Sequence, residues 1–153
     1  MTARPSLLRR AITPGLRAFT RFHRWVYIRS GGWVGHRMTG PVRSLLLHTT
    51  GRRSGERRTV ALAYAADGSS YLVVGSNFGG PKPPGWLANL QADPRAEVNV
   101  GRRRIPVTAE IVMPGDTGYD GLFAIANRAQ RGIFERYRAT MSRPLAVVRL
   151  VPT

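Results

Sequence analysis

From residue 43 onward, short apolar runs alternate with breaks marked by glycine and proline, a spacing that predicts strands joined by hairpins. "RSLLLHTT" is a short apolar run suited to a buried strand, and "RTVALAYAA" sets Val60, Leu62 and Tyr64 on one face with period two. Asp67-Gly68 predicts a hairpin turn, after which "SYLVVGS" forms a further strand. "NFGGPKP" holds too much glycine and proline for regular structure and reads as a loop. Pro84 can open a short helix, "PGWLANLQAD", that has to stop before Pro94. "RAEVNV", a turn at Gly101 and "RRRIPVTAEIVM" predict a second hairpin. Thr117 to Tyr137 then carries Leu122, Ile125, Ala126 and Ala129 at helical spacing, and "PLAVVRLV" closes the chain as a strand.

Upstream the period is helical. Thr13 can cap a helix with Pro14 in its first turn, and on a wheel of ~100° per residue Arg17, Arg21 and Arg24 cluster opposite Phe19, Phe22 and Val26. Such a basic amphipathic helix either packs on the domain or lies on a membrane surface. "GGWVGHRMTGP" follows as a mobile connection or lid. The expected division is 1–40, an N-terminal helix and connection, and 41–153, the folded domain. The expected fold is α+β and mainly β: six antiparallel strands closed into a small barrel with helices inserted, in place of alternating βαβ units.

Composition narrows the chemistry. The 153 residues, 42% of them hydrophobic, suffice for one core. The absence of cysteine excludes disulfides and thiolate catalysis. His23, His36 and His48 lack metal-ligand spacing, so no metal is expected. No apolar stretch approaches the ~20 residues that span a bilayer, and arginines interrupt any signal-peptide core, so a cytoplasmic protein is expected. Twenty-four basic against 8 acidic residues give a net charge of +16, which attracts polyanions: nucleic acid, anionic lipid or a multiply charged cofactor.

The charge concentrates in "HTTGRRSGERRT". A phosphate-binding P-loop needs glycine directly before its lysine and hydroxyl pair, and Glu56 stands there instead. What remains is a tight turn between two strands. Backbone N–H groups freed by Gly51 and Gly55, with the Ser54 hydroxyl, can face an anion beside Arg52, Arg53 and Arg58; a bare surface turn is the alternative. A second cluster is "VVGSNFGGPKPPGWLANL". Ser76 sits at a strand end, and Trp86 and Asn89 share one face of the short helix, as site residues or simply as core and cap.

Taken together, "LLLHTTGRRSGERRTVALAY" and "DGSSYLVVGSNFGGPKPPGWLANLQADPRAEVNV" resemble the deazaflavin-dependent nitroreductase and quinone reductase family over residues 42–151. That resemblance implies a split β-barrel of the flavin-reductase type and coenzyme F420, a 5-deazaflavin carrying a phosphodiester and an oligoglutamate tail, with FMN as the second choice. It implies that Arg52, Arg53, Ser54, Gly55 and Arg58 meet the phosphate and tail. Thr59, Val60, Ser76, Asn77, Phe78 and Gly79 would lie along the ring, and Trp86 and Asn89 would brace the pocket. The chain departs from the family pattern at several places. Arg53 and Asn77 stand where lysine is usual, Phe78 where glycine is, Ala61 where proline is, and Ala63 where some relatives carry tyrosine. "FERYRATMSRP" resembles a Y-x-x-Y-x-x-x-T segment, with Phe134 in the first tyrosine's place.

The expected activity is hydride transfer from reduced F420 to a quinone, nitro compound or other activated acceptor. Ser76 and Tyr137 are the candidates for hydrogen bonds to the reacting substrate. The basic helix would suit a lipophilic acceptor taken from an anionic membrane surface. Two alternatives stand beside this: a basic nucleic-acid-binding module, argued from charge alone and without the exposed aromatics that stack bases, and an F420 carrier without catalysis.

Overall fold

The computed structural model describes residues 42–153. The helix and connection expected over 1–40 lie outside the described residues. Seven strands form one antiparallel sheet: β1 (Ser44–Thr50), β2 (Arg57–Ala63), β3 (Ala65–Asp67), β4 (Ser70–Val74), β5 (Arg95–Val100), β6 (Arg103–Val112) and β7 (Val147–Pro152). Three helices interrupt them: α1 (Gly85–Ala92), α2 (Tyr119–Ala129) and α3 (Ile133–Thr140). Among the described residues no helix is long and apolar enough to cross a membrane.

The strand order is β2-β1-β5-β6-β7-β4-β3, so β2 and β3 are the two edges although only Tyr64 separates them in the chain. A chain cannot reach both edges of a flat seven-stranded sheet in one residue. The sheet therefore curls until its edges meet, as a half-open barrel. At this seam Tyr64 is buried and its N–H donates to the Arg43 carbonyl at 3.0 Å. The expected barrel is present with seven strands, not six, because the "RTVALAYAA" run changes partners at Tyr64, pairing with β1 before it and β4 after it.

Inside the barrel, Leu45, Leu47, Val73, Val98, Val107, Val148 and Leu150 pack with Trp86, Leu87 and Leu90 of α1, which plugs one end. On the opposite face of β4 and β7, Leu72, Val74 and Val147 meet Tyr119, Phe123 and Ala126 of α2 and Phe134 of α3. Both faces of these strands are covered, which explains why "SYLVV" and "LAVV" are apolar without alternation. The single helix expected over Thr117 to Tyr137 is broken. Arg131 (φ 55°) and Gly132 (φ 79°) turn left-handed, and α3 restarts in a new direction. Arg138 of α3 then sits 4.5 Å from the Phe123 ring centroid while pairing with Glu135.

Candidate active site

A cleft of about 820 Å³ opens along the edge strand β2. One wall is the β1–β2 turn, the second is β2 itself from Thr59 to Ala63, the third runs from Ser76 to Trp86, and α3 closes the fourth with Ile133, Phe134 and Tyr137. Twelve of the fourteen candidate residues line it: Arg52, Arg53, Ser54, Arg58, Thr59 and Val60 on the first two walls, and Ser76, Asn77, Phe78, Trp86, Asn89 and Tyr137 on the others. Gly55 and Gly79 do not line it. Each serves the backbone: Gly55 holds φ 70° in the turn and donates to the Gly51 carbonyl at 2.8 Å, and Gly79 (φ 75°) lies against the Tyr137 ring.

The turn is built around Gly51. Its N–H donates to the Glu56 carbonyl at 2.7 Å, and a Cβ there would stand 2.8 Å from Ser54 Oγ and 3.1 Å from that carbonyl. Ser54 Oγ accepts from the Glu56 N–H at 3.2 Å, which leaves its hydroxyl hydrogen free to donate. Asn89, only 6% exposed, ties the turn to α1. Its Oδ1 accepts from the Arg52 backbone N–H at 3.1 Å and from the Arg52 guanidinium at 3.4 Å, and its Nδ2 donates to Thr49 Oγ1 at 3.1 Å. The asparagine is thus a buried hub that aims Arg52, and Trp86 beside it is a core residue as well as a wall.

The charge along this wall is largely uncompensated. Arg58 pairs with Glu56 at 3.0 Å, both well exposed, a contact worth about 0–1 kcal/mol that an incoming anion can displace. Arg52 has only the neutral Asn89, and Arg53 has no acidic partner among the described residues. Three guanidiniums, a free hydroxyl and a glycine turn form a donor set suited to phosphate and carboxylate oxygens. That set fits the phosphodiester and glutamate tail of F420.

The opposite wall is strained. Asn77 (φ 45°), Phe78 (φ 54°) and Gly79 are successively left-handed, which costs the two non-glycine residues roughly 1–2 kcal/mol each. Asn77 Nδ2 donates to the Lys82 carbonyl at 3.0 Å. The main restraint is a residue that sequence reasoning missed. Arg143 donates to the carbonyls of Gly75 (3.0 Å), Ser76 (2.8 Å) and Gly80 (3.1 Å), bracketing the loop. Desolvation lowers the pKa of this guanidinium, which has no carboxylate partner among the described residues. No local signal marks Arg143, since its partners lie more than 60 positions away.

A third polar chain reaches the cleft from behind β2. His48 on β1 stands opposite Thr59, with Nδ1 at 2.8 Å from Thr59 Oγ1 and Nε2 at 2.7 Å from Asn99 Oδ1. An amide oxygen only accepts, so Nε2 carries the proton and Nδ1 accepts from the Thr59 hydroxyl. Burial lowers the pKa of His48; the Asn99 bond opposes this, and Arg57 adds to it. Nearby, Glu97 takes hydrogen bonds from Arg57 and Arg104. Burial alone would raise the Glu97 pKa, but these two arginines reverse the sign and lower it.

The curled antiparallel half-barrel is a flavin-reductase-like fold. Residues 19–152 match the profile of the F420H(2)-dependent quinone reductase family. An F420H(2)-dependent quinone reductase of Mycobacterium tuberculosis strain H37Rv is 45% identical over 128 residues, covering 84% of this chain and 86% of that one. The chain belongs to this family. Among solved structures, an F420-H2 dependent reductase, FDR-A, superposes with a TM-score of 0.60 at 29% identity over 69% of this chain and 92% of its own. A FAD-binding protein from Mesorhizobium loti shares the fold alone, with a TM-score of 0.52 at 18% identity over 72% of this chain and 78% of its own.

Proposed function

We propose that this protein holds F420H2 in the β2 cleft and uses it to reduce a quinone or a similarly activated acceptor. The observation that carries the reading is that one cleft joins a cationic wall at Arg52, Arg53 and Arg58 to an aromatic wall at Phe134 and Tyr137 of α3. The first suits the anionic tail of F420, and the second suits a planar apolar acceptor. When bound, the reduced deazaflavin supplies a low-potential hydride.

The chain's residues do the rest. Arg52, aimed by Asn89, and Arg53 and Ser54 anchor the phosphate and tail, while Thr59 and Val60 on the edge strand and Ser76 to Phe78 flank the ring. Conversion of a quinone to its quinol needs a proton as well as a hydride. The Tyr137 hydroxyl, which has no hydrogen-bond partner among the described residues, and the Ser76 hydroxyl both line the cleft and are the donors to a quinone oxygen as negative charge develops on it. The apolar wall excludes water from that oxygen. The net charge of +16 supports a further reading, in which the protein is peripheral at an anionic membrane surface and draws lipophilic acceptors from it.

The test is a fluorescence titration of the purified protein with F420 and with FMN, followed by turnover of F420H2 with menadione. Saturation by F420 at low micromolar concentration with menadione turnover is expected. Absence of saturable F420 binding sinks the proposal, and binding without oxidation by any of several acceptors leaves a carrier. Flotation with anionic liposomes, comparing the full chain with one lacking residues 1–30, tests the membrane reading.

A further inference from the structure

Phe78 carries two liabilities at once. Among the described residues it is the large hydrophobic side chain left in water, at 91% exposure. Its backbone also sits at φ 54°, ψ 34°, a region that bulky residues avoid and glycine occupies without steric cost. Among the described residues nothing packs on the ring, which belongs to neither hydrophobic cluster. The loop is held by other groups: Arg143 on three carbonyls, Asn77 on Lys82, and Gly79 against Tyr137. Yet Phe78 lines the same cleft as Tyr137, Phe134 and Trp86. A backbone outlier that packing does not require points to a role at the site it borders.

We propose that Phe78 is an acceptor clamp, its ring closing over the mouth of the cleft to stack on a planar, apolar acceptor held against the aromatic wall. This rests on the reading of the cleft as the place where an acceptor meets F420H2. The ring is fully hydrated and unpacked, so rotation about its side-chain torsions brings it over the opening without any change in the backbone. Closure would remove apolar surface from water on both ring and acceptor, and offset stacking suits two π-systems approaching in this way. The clamp contact is to the acceptor, so loss of the ring should weaken the acceptor more than F420, which makes Phe78 a determinant of acceptor specificity.

Phe78→Gly separates this role from folding, because glycine relieves the left-handed strain, and Phe78→Trp keeps an aromatic ring. Three measurements are made on the full chain: the melting temperature, the F420 dissociation constant, and menadione binding in the absence of F420H2 by quenching of tryptophan fluorescence. Steady-state kinetics with menadione accompany them. Phe78→Gly is expected to melt no lower than the parent and to raise both the menadione dissociation constant and KM by roughly five- to tenfold, a larger change than in the F420 dissociation constant. Phe78→Trp should restore both. Unchanged menadione binding and KM in Phe78→Gly would overturn the proposal. So would an effect seen only for a quinone embedded in anionic vesicles, which assigns the ring to lipid contact. A parent protein that fails to bind F420 sinks the functional reading instead, while the menadione quench still reads the clamp.

Discussion

Replacing Asn89 with alanine tests how far the anion-facing turn depends on one buried amide. The change removes three hydrogen bonds, one from Asn89 to Thr49 and two from Arg52 to Asn89. Each is worth about 1 kcal/mol net, and a buried group left unpaired costs about 1–3 kcal/mol. Arg52 is exposed, so its N–H recovers water. Thr49 is 3% exposed and cannot, which makes its orphaned hydroxyl the larger contribution. The sum is about 2–4 kcal/mol, a sizeable share of the roughly 5–15 kcal/mol that stabilises a typical domain. At a few degrees per kcal/mol this lowers the melting temperature by about 10 °C. Asn89→Asp discriminates stability from binding. Its carboxylate still accepts from Arg52, and the Thr49 hydroxyl can rotate to donate, so about half of the thermal loss should return. The new negative charge, however, neutralises Arg52. Circular-dichroism melts with F420 titrations should show both properties lost in Asn89→Ala, but mainly affinity lost in Asn89→Asp, by about tenfold or ~1.4 kcal/mol. If Asn89→Ala melts within about 2 °C of the parent and binds F420 unchanged, the hub assigned to Asn89 is wrong.

Gly51→Ala should cost about 1–3 kcal/mol in a chemical-denaturation curve, because the new Cβ meets the Glu56 backbone carbonyl as well as Ser54 Oγ. Arg143→Met should lose about 2–4 kcal/mol and raise the menadione KM, since three charged hydrogen bonds are removed from a partly exposed group; Arg143→Lys, able to keep a single donor in place, should fall between. The lowered His48 pKa also sets a pH dependence. Above pH 6.5 both folded and unfolded states hold a neutral imidazole, so its contribution is complete; below 6.5 the unfolded chain takes up the proton first, and stability declines until the folded pKa is passed. Melts between pH 7.5 and roughly 5 should show this slope, and His48→Gln should flatten it; an unchanged slope refutes the assignment. Glu97 acts in a separate, more acidic window, because its lowered pKa gives stability that is present above the carboxylate's usual value near 4.5 and lost as pH falls through the folded value.

Much of the site is legible along the chain because its parts are local. The glycines, Ser54, Arg52 and Arg53 of "GRRSGERR" lie within one turn with Arg58 at the start of the next strand, and Trp86 and Asn89 share one face of one short helix. Elsewhere local pattern misleads. "NFGGPKP" reads as plain loop, yet its first residues form a strained helical turn. The Thr117 to Tyr137 run reads as one helix, because Arg131 is an ordinary helix former that turns left-handed here beside Gly132. Local propensity differs by only tenths of a kcal/mol among such residues, and packing of Phe134 against the sheet outweighs it.

Hydrophobic period and turn chemistry in the sequence alone determine that there are antiparallel strands, roughly where each begins, and that a cationic turn joins the first two. These properties depend on neighbours a few residues apart. Only the tertiary structure decides that β2 and β3 are opposite edges meeting at Tyr64, that Arg143 grips the Ser76 loop, and that His48 links Thr59 to Asn99. The reason is physical: period two reports which face of a strand is buried, but says nothing of which strand lies beside it. Partners tens of residues apart are selected by closure of the barrel, and the cleft exists only once that closure brings a basic turn and an aromatic wall together.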